Sequence, residues 1–125
     1  MDLYKLKEYI VKNFPYFICK YQADNNLMHI SLRHIDNTIQ YSNDSILVFY
    51  GTTVILNDFI DYYKVEKLGY VINSQCTRSF LLDEVNETMI KLSLSFLSNV
   101  YNDIMIKHKQ DQIKEKMENI SKDFE

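Results

Sequence analysis

The apolar residues of this chain change their spacing along its length, between intervals of three and four and strict alternation. A chain patterned this way has to combine helix with sheet. Leu3, Leu6, Ile10 and Phe14 form the first stripe, with Lys5, Lys7, Glu8 and Lys12 on its wetter side, as in an amphipathic helix. Asp2 can cap that helix, and Pro15 disfavours helical geometry at Phe14, so both ends are marked. From Tyr16 the period becomes two. Phe17, Cys19 and Tyr21 alternate with Ile18, Lys20 and Gln22, and Met28, Ile30 and Leu32 alternate with His29, Ser31 and Arg33. Asp24-Asn25-Asn26 lies between them and tolerates the left-handed geometry of a turn, which predicts a hairpin.

Farther on, a polar stretch over 36–45 is broken by Ile39 and Tyr41, enough for a short extension. Ile46 to Tyr50 is an apolar run ended by Gly51. It fits a strand covered on both faces, or on one face by a partner chain. Over 57–67, Asn57 or Asp58 can cap a helix with Phe59, Ile60 and Tyr63 buried, and Gly69 can end it. The strand preference of Tyr62, Tyr63 and Val65 opposes that helix, which is nevertheless the expectation. Ile90, Leu92, Leu94 and Phe96 alternate with Lys91, Ser93 and Ser95, predicting a half-buried strand that pairs with Phe80 to Val85 in a second hairpin folded at Asn86-Glu87. From Ser98 a helical period returns, with Leu97, Tyr101, Ile104 and His108 on one face, widened by Val100 and Met105. Beyond Lys107 only Ile113, Met117, Ile120 and Phe124 are apolar, so those turns are expected to project into solvent or fray. The fold class implied is α+β, in the order α-β-β-β-α-β-β-α, with helices packed on a mainly antiparallel twisted sheet. All 125 residues are expected to form one domain, with about 107–125 a polar helical extension.

Composition narrows the function classes. A net charge of −3 argues against general nucleic-acid binding, which needs clustered positive charge to displace counterions. The one basic concentration, Lys107 to Lys116, is interleaved with Asp111 and Glu115 and reads as a solvated helical face rather than a phosphate-binding strip. The charged N-terminus does not suit a signal peptide, and no apolar run approaches the ~20 residues that span a bilayer. Cys19 and Cys76 are too few and too far apart for a disulfide framework. A cytoplasmic protein with reduced thiols and no membrane partner is expected.

No motif for catalysis is present. Gly51 and Gly69 cannot build a phosphate-cradling loop. His29 and His34 lie an odd number of positions apart, on opposite faces of a regular strand, so they cannot share a metal. Cys19 reads as a small core hydrophobe rather than a nucleophile, and Asp83 and Glu84 point apart in a strand. No enzyme activity, cofactor or metal is expected. Two features suggest contact with other chains. Ile46 to Tyr50, and Phe59 with Ile60, Tyr62 and Tyr63, are apolar on more than one face, through burial in the monomer or in a dimer. The strand from Phe17 to Tyr21 is apolar or aromatic at nearly every position, as core packing or a groove for an extended client would require.

The element order, the amphipathic first helix, the Ile46-Leu-Val-Phe-Tyr-Gly51 strand and turn, and the Phe80 to Phe96 hairpin feeding the last helix resemble the class I type III secretion chaperones. The resemblance covers Asp2 to about Lys114. It implies a homodimer that binds the unfolded N-terminal segment of a secreted effector and keeps it soluble and export-competent without ATP. It places the dimer interface at Phe59, Ile60, Tyr63, Phe80 and Leu82. It places the effector groove at Tyr9, Phe17, Cys19, Tyr21 and Met28. The rival reading is a compact immunity protein or phage-encoded antagonist that binds one folded partner. A small enzyme with an unrecognised site is the remaining alternative.

Overall fold

The computed structural model describes residues 1–75 and 78–123, so Cys76 and Phe124 lie outside the described residues. Helix α1 (Leu3–Asn13) is capped by Asp2, whose carboxylate accepts from the Tyr4 and Lys5 amides at 3.0 and 3.2 Å. Its buried residues, Leu3, Leu6 and Ile10, are the predicted stripe. The first hairpin also forms as expected. Strands β1 (Phe17–Gln22) and β2 (Leu27–Leu32) pair antiparallel with Phe17 opposite Leu32 and Tyr21 opposite Met28. A single 3-10 turn joins them and ends at Asn26, whose φ of 48° is the left-handed geometry that asparagine tolerates.

Six more strands follow: β3 (Ile39–Asn43), β4 (Ser45–Tyr50), β5 (Thr53–Leu56), β6 (Phe59–Val65), β7 (Gly69–Gln75) and β8 (Arg78–Leu81). The chain ends in α2 (Glu87–Asp123), 37 residues long. The strands make two sheets. One, ordered β1-β2-β4-β5-β8, is antiparallel throughout. The other, ordered β3-β7-β6, joins β3 to β7 in parallel and β7 to β6 antiparallel. Only Asp44 separates β3 from β4, and only Asn57 and Asp58 separate β5 from β6, so each pair carries the chain directly from one sheet to the other. Polar side chains hold that corner. Asn57 donates to the Ser45 carbonyl at 2.8 Å, the Ser74 hydroxyl donates to the same oxygen, and Asn43 donates to the Ser74 carbonyl at 3.0 Å.

One face of the larger sheet, with Met28, Ile30, Leu32, Leu47, Phe49 and Val54, forms a single buried cluster with Leu6 and Ile10 of α1 and with Ile90, Leu94, Leu97 and Tyr101 of α2. β4 is central, as its apolar run implied: the consecutive Ile46 and Leu47 are both fully buried, so both faces are covered at its start, whereas at its end Phe49 is buried and Tyr50 is 67% exposed.

Over the described residues the architecture is α+β with eight strands in two sheets, a short N-terminal helix and a long C-terminal one, and it departs from the expected order at the second helix, at the second hairpin and in strands that were not expected. The helix expected over 57–67 is the strand β6. Its β-branched and aromatic residues pair along their whole length with β7, from Phe59 opposite Gln75 to Val65 opposite Gly69. Gly69 opens β7 after a turn at φ 82° and does not end a helix. The hairpin expected over 80–96 is also absent. β8 stops at Leu81, Leu82–Glu84 form a 3-10 turn, and Glu87 begins α2. Asn86, the expected turn residue, instead caps that helix, its side-chain oxygen accepting from the Met89 amide at 2.8 Å. Alternation over 90–96 misleads because Ile90, Leu94, Leu97 and Tyr101 also recur at intervals of four, three and four. That helical set is the buried one, and Leu92 and Phe96 are left 67% and 60% exposed. β5 and β7 have no counterpart among the expected elements. Among the described residues, no helix is long and apolar enough to cross a membrane.

Candidate functional site

The C-terminal half of α2 and the strand β6 are held together by a polar cluster that the sequence marks only faintly. The buried face of α2 runs through Ile90, Leu94, Leu97 and Tyr101, and the same spacing continues through His108, Asp111 and Glu115. His108 is fully buried. Its Nε2 lies 2.7 Å from the Thr38 hydroxyl and 3.4 Å from Asp36, and its Nδ1 lies 3.1 Å from the Tyr62 hydroxyl. Tyr62 in turn donates to Asp111 at 2.9 Å. The Tyr70 ring meets the imidazole edge-on with centroids 4.7 Å apart, and the Tyr70 hydroxyl donates to Glu115 at 2.6 Å. Lys64 on β6 pairs with the same carboxylate.

Thr38 and His108 have the spacing of a nucleophile and its base. The Thr38 hydroxyl, however, also donates to Asp36 at 2.6 Å and accepts from Gln112 at 2.9 Å, and both imidazole nitrogens face protein hydroxyls. These bonds suit a clamp between helix and sheet.

The electrostatics follow from that packing. Burial, then the adjoining Asp111, raises the Tyr62 phenol well above its ordinary value. Burial and the Glu115 contact push Tyr70 up to about 12. Glu115 is lowered by its bonds to Lys64 and Tyr70, and Asp36 by its bonds to the side chain and backbone of Thr38. The cluster also sorts charge. Asp111 and Glu115, which interrupt the lysines in the sequence, turn toward the smaller sheet, while Lys107, Lys109, Lys114 and Lys116 remain exposed.

Of the residues named for an effector groove, Phe17, Cys19, Tyr21 and Met28 fall on the core side of the first hairpin, and Tyr9 lies on α1. Phe17 is buried and stacks on Phe14, with centroids 5.5 Å apart, and Met28 is fully buried opposite Tyr21. Cys19 and Tyr21 are half-buried on the same sheet face, and burial pushes the Cys19 thiol up to about 11. Tyr9 is half-buried with the Lys91 ammonium 4.1 Å from its ring centre. As placed, Phe17 and Met28 offer no surface to a client.

The residues named for a dimer interface divide. Phe59 and Tyr63 share one face of β6 and are 50% and 39% exposed, whereas Ile60 is 8% exposed on the opposite face. Phe80 is half-buried on β8 opposite Val54, and Leu82 lies in the 3-10 turn beyond it. His34, outside β2, bonds Asp44 at 2.8 Å and stacks flat on Tyr41, while His29 contacts Ser45 at 2.5 Å. No protein-family model matches this chain, and neither a curated protein nor a solved structure does.

Proposed function

We propose that this protein works by binding another polypeptide, without a chemical step of its own, as a homodimeric holder of a partner's otherwise unfolded segment. The observation that carries the reading is β6, a seven-residue edge strand paired, among the described residues, only with β7, with Phe59 and Tyr63 exposed on its outer face. An open edge of this length presents unpaired backbone groups to a second strand, and aromatic side chains beside it supply apolar anchors. Two copies joined along β6 would place both exposed aromatics in the interface. The larger sheet keeps its own edges, at β1 and β8, for an extended client. The secretion-chaperone form of this reading, with a secreted effector as client in the cytoplasm, no longer has the final hairpin or the second helix behind it. It rests on the open edges alone.

Light scattering coupled to size exclusion, at several concentrations, tests the proposal. The expected mass is twice 15.0 kDa, falling to a monomer when Phe59 and Tyr63 are both replaced by lysine. Co-purification with extended segments would then identify clients. A monomer at every concentration would remove the chaperone reading. An antagonist of one folded partner would then take its place, a role that the solvent-facing exterior of α2 favours.

A further inference from the structure

The face of α2 opposite its buried one carries a second apolar register. Ile106, Ile113, Met117 and Ile120 recur at intervals of seven, four and three and are 49%, 58%, 67% and 56% exposed. They draw one line along the outer side of the helix, roughly 21 Å long at the helical rise per residue. From Ile113 onward this line has the two-per-heptad pattern of a coiled-coil seam, with the polar Gln110 at the core position between Ile106 and Ile113, and it is narrower than the face that lays a helix onto a bilayer or a core. The expectation that these turns merely project into solvent does not account for such spacing.

Lysines border the seam on both sides. Lys107 and Lys114 follow it on one flank, Lys109 and Lys116 precede it on the other, and all four are exposed. The acids that alternate with them in the sequence, Asp111 and Glu115, are taken up by Tyr62, Tyr70 and Lys64 on the sheet side. Glu118 lies farther round the helix, behind the lysines of the first flank. Among the described residues Lys114 and Lys116 have no carboxylate partner. An acidic protein has therefore assembled a locally basic rim around an uncovered apolar line.

We propose that this seam docks an acidic amphipathic helix of a different protein, about two heptads of it in contact, with apolar residues at its two core positions and Asp or Glu at its flanking ones. In a second copy of α2, lysines would face lysines whether the helices ran parallel or antiparallel, which disfavours self-pairing. Carboxylates on a partner's flanks would instead meet the lysines and fix register and orientation. The clamp at His108 holds this part of α2 against the sheet, so the seam is presented ready-formed and its ordering need not accompany binding. The proposal does not rest on the open edge of β6 or on any dimer formed there.

The test uses the full chain and two labelled synthetic three-heptad peptides. Both have leucine at the core positions; one has glutamate and the other lysine at the flanking positions. Anisotropy titration should find the glutamate peptide bound at least about tenfold more tightly than its twin at low salt, with the gap narrowing as salt screens the flanks. Ile113→Glu with Met117→Glu should abolish binding while leaving the thermal midpoint unchanged, because both side chains are exposed. Lys114→Glu with Lys116→Glu should shift preference toward the lysine peptide. Equal binding of the two peptides, or of neither, would overturn the proposal. So would a dimer that dissociates on Ile113→Glu with Met117→Glu, which would make a second copy the occupant. Capture of phosphatidylserine vesicles without peptide binding, lost in that same variant, would overturn it in favour of a lipid surface.

Discussion

His108 occupies the position where the apolar face of α2 turns polar, and every polar atom of its ring has a protein partner. Replacing it with alanine leaves a cavity and removes the shared partner of Thr38 and Tyr62. The expected loss is about 2–4 kcal/mol in urea unfolding, with faster amide exchange confined to the last turns of α2. Asp36 and Glu115 set the acid response of the same region. Both carboxyls are lowered in the folded protein, so what they contribute is fully present above the ordinary carboxylate range and is lost as pH falls through their lowered values. Urea midpoints measured from neutral to acid pH should fall less steeply for Asp36→Asn combined with Glu115→Gln than for the unaltered chain. Cys19, pushed up to about 11 by burial, should be alkylated about a hundredfold more slowly in the native protein than in urea at neutral pH, read from the mass of its peptide.

At the scale of elements, residues 87–97 carry two periodicities at once, and only the helix selects Leu94 over Leu92. Leu94 is fully buried and Leu92 is 67% exposed. Leu94→Ala should therefore cost about 2–5 kcal/mol and Leu92→Ala no more than about 0.5 kcal/mol, whereas a strand with both side chains inward would make the two losses equal. Asn86→Ala should cost about 1 kcal/mol through loss of the cap, a penalty that a tight turn at Asn86-Glu87 would distribute differently. The first helix and first hairpin were legible because their ends are marked by residues with local preferences: Asp2, Pro15, and the Asn26 that adopts the left-handed turn. β6 was not, because Phe59, Ile60 and Tyr63 satisfy a helical stripe as well as a strand, and its pairing partner lies in a β7 that bears no strong alternation of its own.

In the whole molecule, two direct strand-to-strand passages turn one run of chain into two sheets, and α2 bridges them. Its first half packs on the larger sheet through Ile90, Leu94 and Leu97, and its second half on the smaller one through the His108 cluster. That bridge sets the charge pattern of the outer surface, because Asp111 and Glu115 face inward only where Tyr62 and Tyr70 wait for them. Tyr62→Phe combined with Tyr70→Phe should free both carboxylates to neutralise the lysine rim. The expected readout is weaker binding of the glutamate-flanked peptide with the apolar seam itself intact.

By itself the sequence determined the α+β class, the first helix and hairpin, and the helical face through Leu97, Tyr101 and His108. Each of these depends on local preferences or on a period that admits one reading. Tertiary structure alone decided that 59–65 is strand and 87–97 helix, because period two and period three-and-four coexist in those segments and long-range pairing chooses between them. It also decided which apolar residues meet water. Phe17 and Met28 share a sheet face with the core rather than with a groove, while Ile113 and Met117 line the outside of a helix whose inner face is already occupied. Exposure is a property of what lies across from a residue, and for this chain that neighbour is most often far away in sequence.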